Sequence, residues 1–85
     1  HLADNRVLNG CRAVVYCRTG RWFAKRDAAG QISAVEEDFR PLIETAVRSF
    51  ERPRSDALSL PSPQVRAFLT WVRARVDENA AAVGA

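Results

Sequence analysis

Apolar residues recur along this 85-residue chain at the three- and four-residue spacing of an α-helix, and this period constrains the fold more than any other feature. The first stripe consists of Val7, Leu8, Cys11, Val14 and Val15. A strand would alternate apolar and polar residues instead. The stripe therefore predicts a first helix over residues 5–18, which Asp4 can cap and Thr19-Gly20 can end.

The same reasoning predicts three further helices. The second covers residues 25–35 and is weakened by Gly30. The third buries Phe39, Leu42, Ile43, Ala46, Val47 and Phe50. A proline-containing linker, residues 53–62, leads to the fourth helix, which buries Val65, Phe68, Leu69, Val72 and Val76. Residues 80–85 are expected to fray. The sequence thus predicts an all-α fold, a small four-helix bundle, with a five-helix bundle as the alternative.

We expect ordinary structural roles for the two tryptophans. Trp22 and Phe23 follow Gly20, and we expect them to plug one end of the bundle. Trp71 lies three residues after Phe68, which predicts a place at the edge of the core.

Length and composition indicate one domain over residues 1–85. A chain that is 47% hydrophobic and 27% charged is typical of a soluble globular domain. No apolar run approaches the roughly 20 residues of a membrane-spanning helix, so no membrane association is expected. Cys11 and Cys17 point about 240° apart on a helix and cannot bridge within it. We expect reduced thiols, a cytoplasmic location and no metal site.

Positive charge is concentrated in the first third of the chain. Residues 1–26 carry six cationic side chains and one acid, a net charge of +5, whereas residues 27–64 carry −3. Such a surface suits a phosphate chain or a nucleic acid, although a solvated arginine-rich face remains the alternative. Asn5, Arg12 and Thr19 are spaced by seven and share one edge of the first helix. Lys25 is the only lysine beside twelve arginines.

Several short motifs occur in an order found in one protein family. They are Asn5-x-Val7-Leu8, Cys11-Arg12, Thr19-Gly20, Lys25, Ala28-Ala29, Phe39-Arg40-Pro41-Leu42-Ile43-Glu44 and Phe50. In this order the chain resembles the C-terminal helical domain of the aminoglycoside adenylyltransferases of the streptomycin and spectinomycin type, which are nucleotidyltransferases. These enzymes transfer AMP from ATP to a drug hydroxyl and confer antibiotic resistance.

The resemblance implies a role for each matching residue. Arg12 and Lys25 are expected to contact the ATP phosphates and Asn5 the drug, while Tyr16 and Phe50 line the cleft. No catalytic residue is expected here. The chain begins at His1 and contains no methionine, so we expect a fragment whose parent enzyme has an N-terminal nucleotidyltransferase domain. That domain would be the partner of this one and would hold most of the ATP and the magnesium.

The sequence departs from the family pattern at four positions. Phe50 takes the place of a tyrosine that reaches the phosphates, and Leu2 takes the place of an acidic residue. Ala24 replaces a helix-capping serine, and Gln31 a tryptophan.

Two other classes of function compete with this interpretation. A small basic nucleic-acid-binding module would read DNA with its third or fourth helix, but the cations here lie on the first helix and in the turn after it, so we rank this class lower. A partner-docking bundle without a ligand would expose a large apolar area.

Overall fold

A computed structural model describes residues 3–84 of the chain, with side chains through Ala82. It contains the helices α1 (Ala3–Thr19), α2 (Lys25–Val35), α3 (Arg40–Phe50) and α4 (Ser62–Gly84), with single 3₁₀ turns at Glu37–Phe39 and Arg54–Asp56. No strand occurs between residues 3 and 84, which confirms the predicted all-α fold with four helices. Leu2, which the resemblance compares with an acidic residue, lies outside the described residues.

Helix α1 is the centre of the fold and packs against the other three helices. Its predicted apolar stripe is buried from Val7 to Val15. Gly10 lets α4 come close, since a Cβ atom there would lie only 3.0 Å from the Phe68 ring. Both cysteines are free thiols, and burial raises the pKa of Cys11 to about 12.

The end of α1 fixes the direction of the loop that follows, residues 20–24. Gly20 has a φ of 75°, a left-handed conformation that favours glycine, and its N–H donates to the Tyr16 carbonyl at 2.7 Å. The Thr19 hydroxyl donates to the Val15 carbonyl at 2.8 Å and accepts the Arg21 N–H at 3.1 Å. The predicted stop at Thr19-Gly20 is confirmed, and the loop begins from a hydrogen-bonded turn.

Contacts at both ends of α3 establish the helix directions. Near its start, the Arg40 Nε donates to the Ser33 carbonyl in the last turns of α2 at 2.8 Å. At its end, the Ser49 hydroxyl donates to Asp4 in the first turn of α1 at 2.6 Å. The ends of α1 and α2 also lie close together, with Arg18 and Glu36 4.0 Å apart. Helix α3 therefore runs antiparallel to α1.

The predicted apolar stripes of α3 and α4 form most of the remaining core. The buried members are Leu42, Ile43, Ala46, Val65, Phe68 and Val72, and the partly buried ones that pack against them are Phe39, Val47, Leu69 and Val76. Trp71 stacks at a tilt on Phe39 and Phe68, with ring centroids 5.4 and 5.8 Å away, which confirms its place at the core edge. Helix α4 continues through Gly84 and so includes residues 80–84, and the fraying expected for residues 80–85 stays a prediction.

Two aromatic side chains lie outside the core, against prediction. Phe50 is 40% exposed, because it ends α3 and its neighbour Ser49 takes the buried position. Trp22 is 61% exposed, because the loop turns the adjacent Phe23 toward the core instead. Neither position could be read from helical spacing. None of the helices between residues 3 and 84 combines the length and apolar character needed to cross a bilayer.

Candidate functional site

Arg12 is held in place by a backbone contact to the loop that follows α1. The residue lies in the middle of α1 and is half-buried. Its Nε donates to the Phe23 carbonyl at 2.8 Å, which fixes the plane of the guanidinium. Arginine has four further N–H donors on its two terminal nitrogens. No carboxylate of the described residues lies within 4.0 Å of them, so this positive charge has no acidic partner within residues 3–84.

An exposed aromatic pair lies beside Arg12. The rings of Tyr16 and Trp22 stack with their centroids 4.5 Å apart and their planes inclined by 16°. The Arg12 Cζ is 5.6 Å from the centre of the Trp22 ring, within the range of a cation–π contact. Asn9, Arg12 and Trp22 line a shallow surface pocket. Tyr16 is 41% exposed, so the aromatic pair lies at the surface.

Lys25 begins α2 on the far side of the same loop. Its Nζ lies 4.9 Å from the centre of the Phe50 ring, and the Arg54 Cζ lies 5.7 Å from the same ring. Ala24 provides no side-chain cap for α2, so the first N–H groups of this helix have no side-chain acceptor from that position. An uncapped helix N-terminus beside an ammonium group favours an anion.

The neighbouring cation of Lys25 has an acidic partner within the domain. Arg26 forms an exposed ion pair with Glu51, the residue that follows α3. Lys25 has no such partner, since no carboxylate of residues 3–84 lies within 4.0 Å of its Nζ.

Asp4, the predicted cap of α1, lies in the first turn of the helix, where its carboxylate accepts the Asn5 N–H and also makes longer-range contacts. The carboxylate is only 1% exposed. Its Oδ2 accepts hydrogen bonds from the Ser49 hydroxyl at 2.6 Å and from Arg54 at 2.9 Å, and its Oδ1 accepts from Arg54 at 3.3 Å and from the Asn5 N–H at 2.6 Å. Asp4 therefore connects α1 to the end of α3 and to the linker.

The charge state of Asp4 follows from these contacts. Burial acts to raise the pKa of the carboxyl, but the hydrogen bonds from Arg54, Ser49 and Asn5 together outweigh it and lower the pKa below its ordinary value of 3.8. Asp4 is thus a carboxylate at neutral pH. The sequence already singled out Asp4, because it is the only acidic residue among the first 26.

The structure brings some of the predicted site residues together and leaves one apart. Arg12 and Lys25 lie on the two sides of loop 20–24, Tyr16 is stacked on that loop, and Phe50 carries the Lys25 ammonium over its ring. Asn5 is half-buried in the first turns of α1, two helical turns before Arg12. The carboxylate next to it, Asp4, is enclosed and unable to face a ligand.

Comparison with known families matches residues 3–75 to the aminoglycoside adenylyltransferase C-terminal domain. The chain belongs to this family. Searches of curated proteins and of solved structures found no significant match. The matched region contains α1, α2 and α3 entirely and the first half of α4.

In this aminoglycoside adenylyltransferase C-terminal domain, two features surround Lys25. Phe50 contributes a ring face to its ammonium group. Ala24 leaves the start of α2 without a side-chain cap.

Proposed function

We propose that this domain closes the active-site cleft of an aminoglycoside adenylyltransferase and binds the triphosphate of ATP with Arg12 and Lys25. The enzyme would transfer AMP from ATP to a hydroxyl group of an aminoglycoside, which gives resistance to the drug. A nucleotidyltransferase domain preceding this one would hold the catalytic groups and the rest of the nucleotide. This domain would supply positive charge and close the cleft.

The observation that carries the proposal is the state of the two cations. Arg12 donates to the Phe23 carbonyl in loop 20–24 and Lys25 begins the helix after that loop. Neither has a carboxylate of residues 3–84 within 4.0 Å. Arg26, by contrast, is paired with Glu51. A fixed guanidinium recognises phosphate oxygens through two donors at once, and a lysine adds a compact charge. The phosphates of ATP would supply the anionic partner that neither Arg12 nor Lys25 has among the carboxylates of residues 3–84.

The chemistry of the site fits a triphosphate better than a metal ion. The uncapped start of α2 adds N–H donors next to Lys25. Residues 3–84 contain no group of three histidine, cysteine, aspartate or glutamate side chains that could hold a metal. We therefore assign Mg²⁺ to the preceding domain, where it would neutralise phosphate charge while Arg12 and Lys25 orient the phosphates from this side. ATP would supply the AMP group that is transferred.

Asn5 is our candidate for a drug contact, and Tyr16 and Phe50 would line the cleft. Aminoglycosides are polycations and need carboxylates in their pocket. Asp4 cannot serve, because Arg54 and Ser49 enclose its carboxylate. The positive groups of the drug would then depend on acids of the preceding domain, with Asn5 contributing a neutral hydrogen bond.

Calorimetric titration of the full-length protein with Mg²⁺-ATP tests the proposal. Arg12→Gln and Lys25→Met remove charge while keeping much of the side-chain length. Each is expected to weaken ATP binding about 10- to 100-fold, the scale of hydrogen bonds to charged groups. Arg66→Gln, at an exposed position of α4, is the matched control and should change the affinity less than twofold. Equal affinities in all four proteins would refute the proposal.

A further inference from the structure

Trp22 is the most exposed large aromatic side chain of the described residues, and the loop that carries it is fixed rather than loose. On the N-terminal side of Trp22, the Arg21 N–H donates to the Thr19 hydroxyl at 3.1 Å. On the C-terminal side, the Phe23 carbonyl accepts a hydrogen bond from Arg12. The backbone on both sides of Trp22 is therefore tied to α1. An indole that is 61% exposed on such a support presents a large apolar ring to solvent at a defined place.

Tyr16 supports this ring from α1. The two rings are nearly parallel, inclined by 16°, and their centroids are 4.5 Å apart. Helix α1 fixes the position of Tyr16, so the stack restrains Trp22 before any ligand arrives. A restrained aromatic group loses little conformational entropy on binding. The pair has the properties of a platform on which another flat ring can stack.

The charge next to the platform selects among possible flat ligands. The Arg12 guanidinium lies 5.6 Å from the centre of the Trp22 ring and has no carboxylate of residues 3–84 within ion-pair distance. This positive charge repels a polycationic drug. It attracts a ligand that carries negative charge close to a flat ring, and a nucleotide has this combination, because its phosphate is joined to its base through one sugar.

We propose that Tyr16 and Trp22 form a stacking platform for the purine base of the nucleotide, with Arg12 binding the phosphate attached to the same sugar. The inference rests on the proposed function, and adds a base-binding role to a site assigned there to the phosphates. Stacking needs no hydrogen bond to the base edge, so the platform would contribute affinity while discriminating only weakly between purines.

The experiment compares two ligands, Mg²⁺-ATP and magnesium tripolyphosphate, by calorimetric titration of the full-length protein. Tripolyphosphate has the phosphates but no base. Trp22→Ala is expected to weaken ATP binding about tenfold, within the range known for aromatic stacking, and to leave tripolyphosphate binding within twofold. Trp22→Phe keeps a ring and should restore most of the ATP affinity. Val35→Ala, the truncation of another exposed apolar side chain, is the matched control.

Each other outcome has a separate meaning. An unchanged ATP affinity in Trp22→Ala would overturn the platform. Equal losses for ATP and tripolyphosphate would also overturn it, because they would show that Trp22 supports the loop or covers the preceding domain rather than binding the base. A different result would refute the phosphate-binding role of Arg12 and Lys25. In that case, Arg12→Gln and Lys25→Met would bind tripolyphosphate as tightly as the parent protein.

Discussion

The Asp4 carboxylate and the Ser49 hydroxyl are 45 positions apart in sequence and 2.6 Å apart in the structure. Ser49 also accepts the Leu58 N–H at 2.9 Å, and Asp4 also accepts two hydrogen bonds from Arg54. This buried polar cluster joins the first turn of α1, the last turn of α3 and the linker before α4. Because the Arg54 guanidinium also lies over Phe50, the cluster positions one side of the surroundings of Lys25.

Ser49→Ala is expected to destabilise the domain. The substitution leaves the partly buried Leu58 N–H without its hydroxyl acceptor and removes one donor from the buried Asp4 carboxylate. Loss of such a buried partner costs about 1–3 kcal/mol in the free energy of unfolding, which urea denaturation measures. Ser59→Ala, at an exposed position of the same linker, should stay within about 0.5 kcal/mol of the parent. Similar losses in both variants would show that the cluster contributes nothing specific.

Acidification is expected to weaken the fold through Asp4. The pKa of this carboxyl is lower in the folded domain than its ordinary value of 3.8, so the folded state favours the charged form. The resulting stabilisation is complete above the pKa of the unfolded chain, about 4, and is lost as the pH falls through the lower folded pKa. Urea denaturation of the parent and of Asp4→Asn between pH 7 and pH 2 tests this.

The two proteins should differ by a constant free energy of unfolding above about pH 5, and the difference should shrink as the pH is lowered below about 4. A constant difference down to pH 2 would contradict the assigned shift of the Asp4 pKa.

Two glycines within helices are expected to respond in opposite directions to alanine. At Gly10 a Cβ atom would lie 3.0 Å from Phe68 Cε2 and 3.1 Å from Val72 Cγ2, so these two side chains would have to shift by a few tenths of an ångström. Gly10→Ala should therefore destabilise the domain by about 1–2 kcal/mol despite the better helix propensity of alanine. At Gly30 no atom lies within 4 Å of the new methyl group, and Gly30→Ala should stabilise the domain by about 0.5–1 kcal/mol. Thermal and urea unfolding measure both, and the same sign for the two substitutions would be inconsistent with the packing described here.

Helical spacing predicted the elements of this fold but not its side-chain exceptions. The predicted range of α2, residues 25–35, is the observed one, and α1 extends the predicted 5–18 to Ala3–Thr19. In α3 the same spacing placed Phe50 inside, whereas Ser49 is buried there because Asp4 reaches it from the other end of the sequence. A contact across 45 positions leaves no trace in a local pattern.

In the candidate site, too, the sequence predicted some features and missed others. The motifs of the sequence singled out Arg12 and Lys25. They did not show that Arg26 has an ion-pair partner in Glu51 whereas Lys25 has no carboxylate of residues 3–84 within 4.0 Å. They also assigned Trp22 to the bundle end, because a large aromatic residue is most often buried. The turn at Gly20 decides which of Trp22 and Phe23 faces the core, and this depends on loop geometry that the sequence does not specify.

The most direct test of the account compares ATP with adenosine as ligands of the full-length protein and of the double variant Arg12→Gln/Lys25→Met. If these two cations act on phosphate, the double variant loses at least 100-fold in affinity for Mg²⁺-ATP while its affinity for adenosine changes less than threefold. An equal loss for both ligands, or no loss for ATP, would contradict the assignment of Arg12 and Lys25 to the triphosphate.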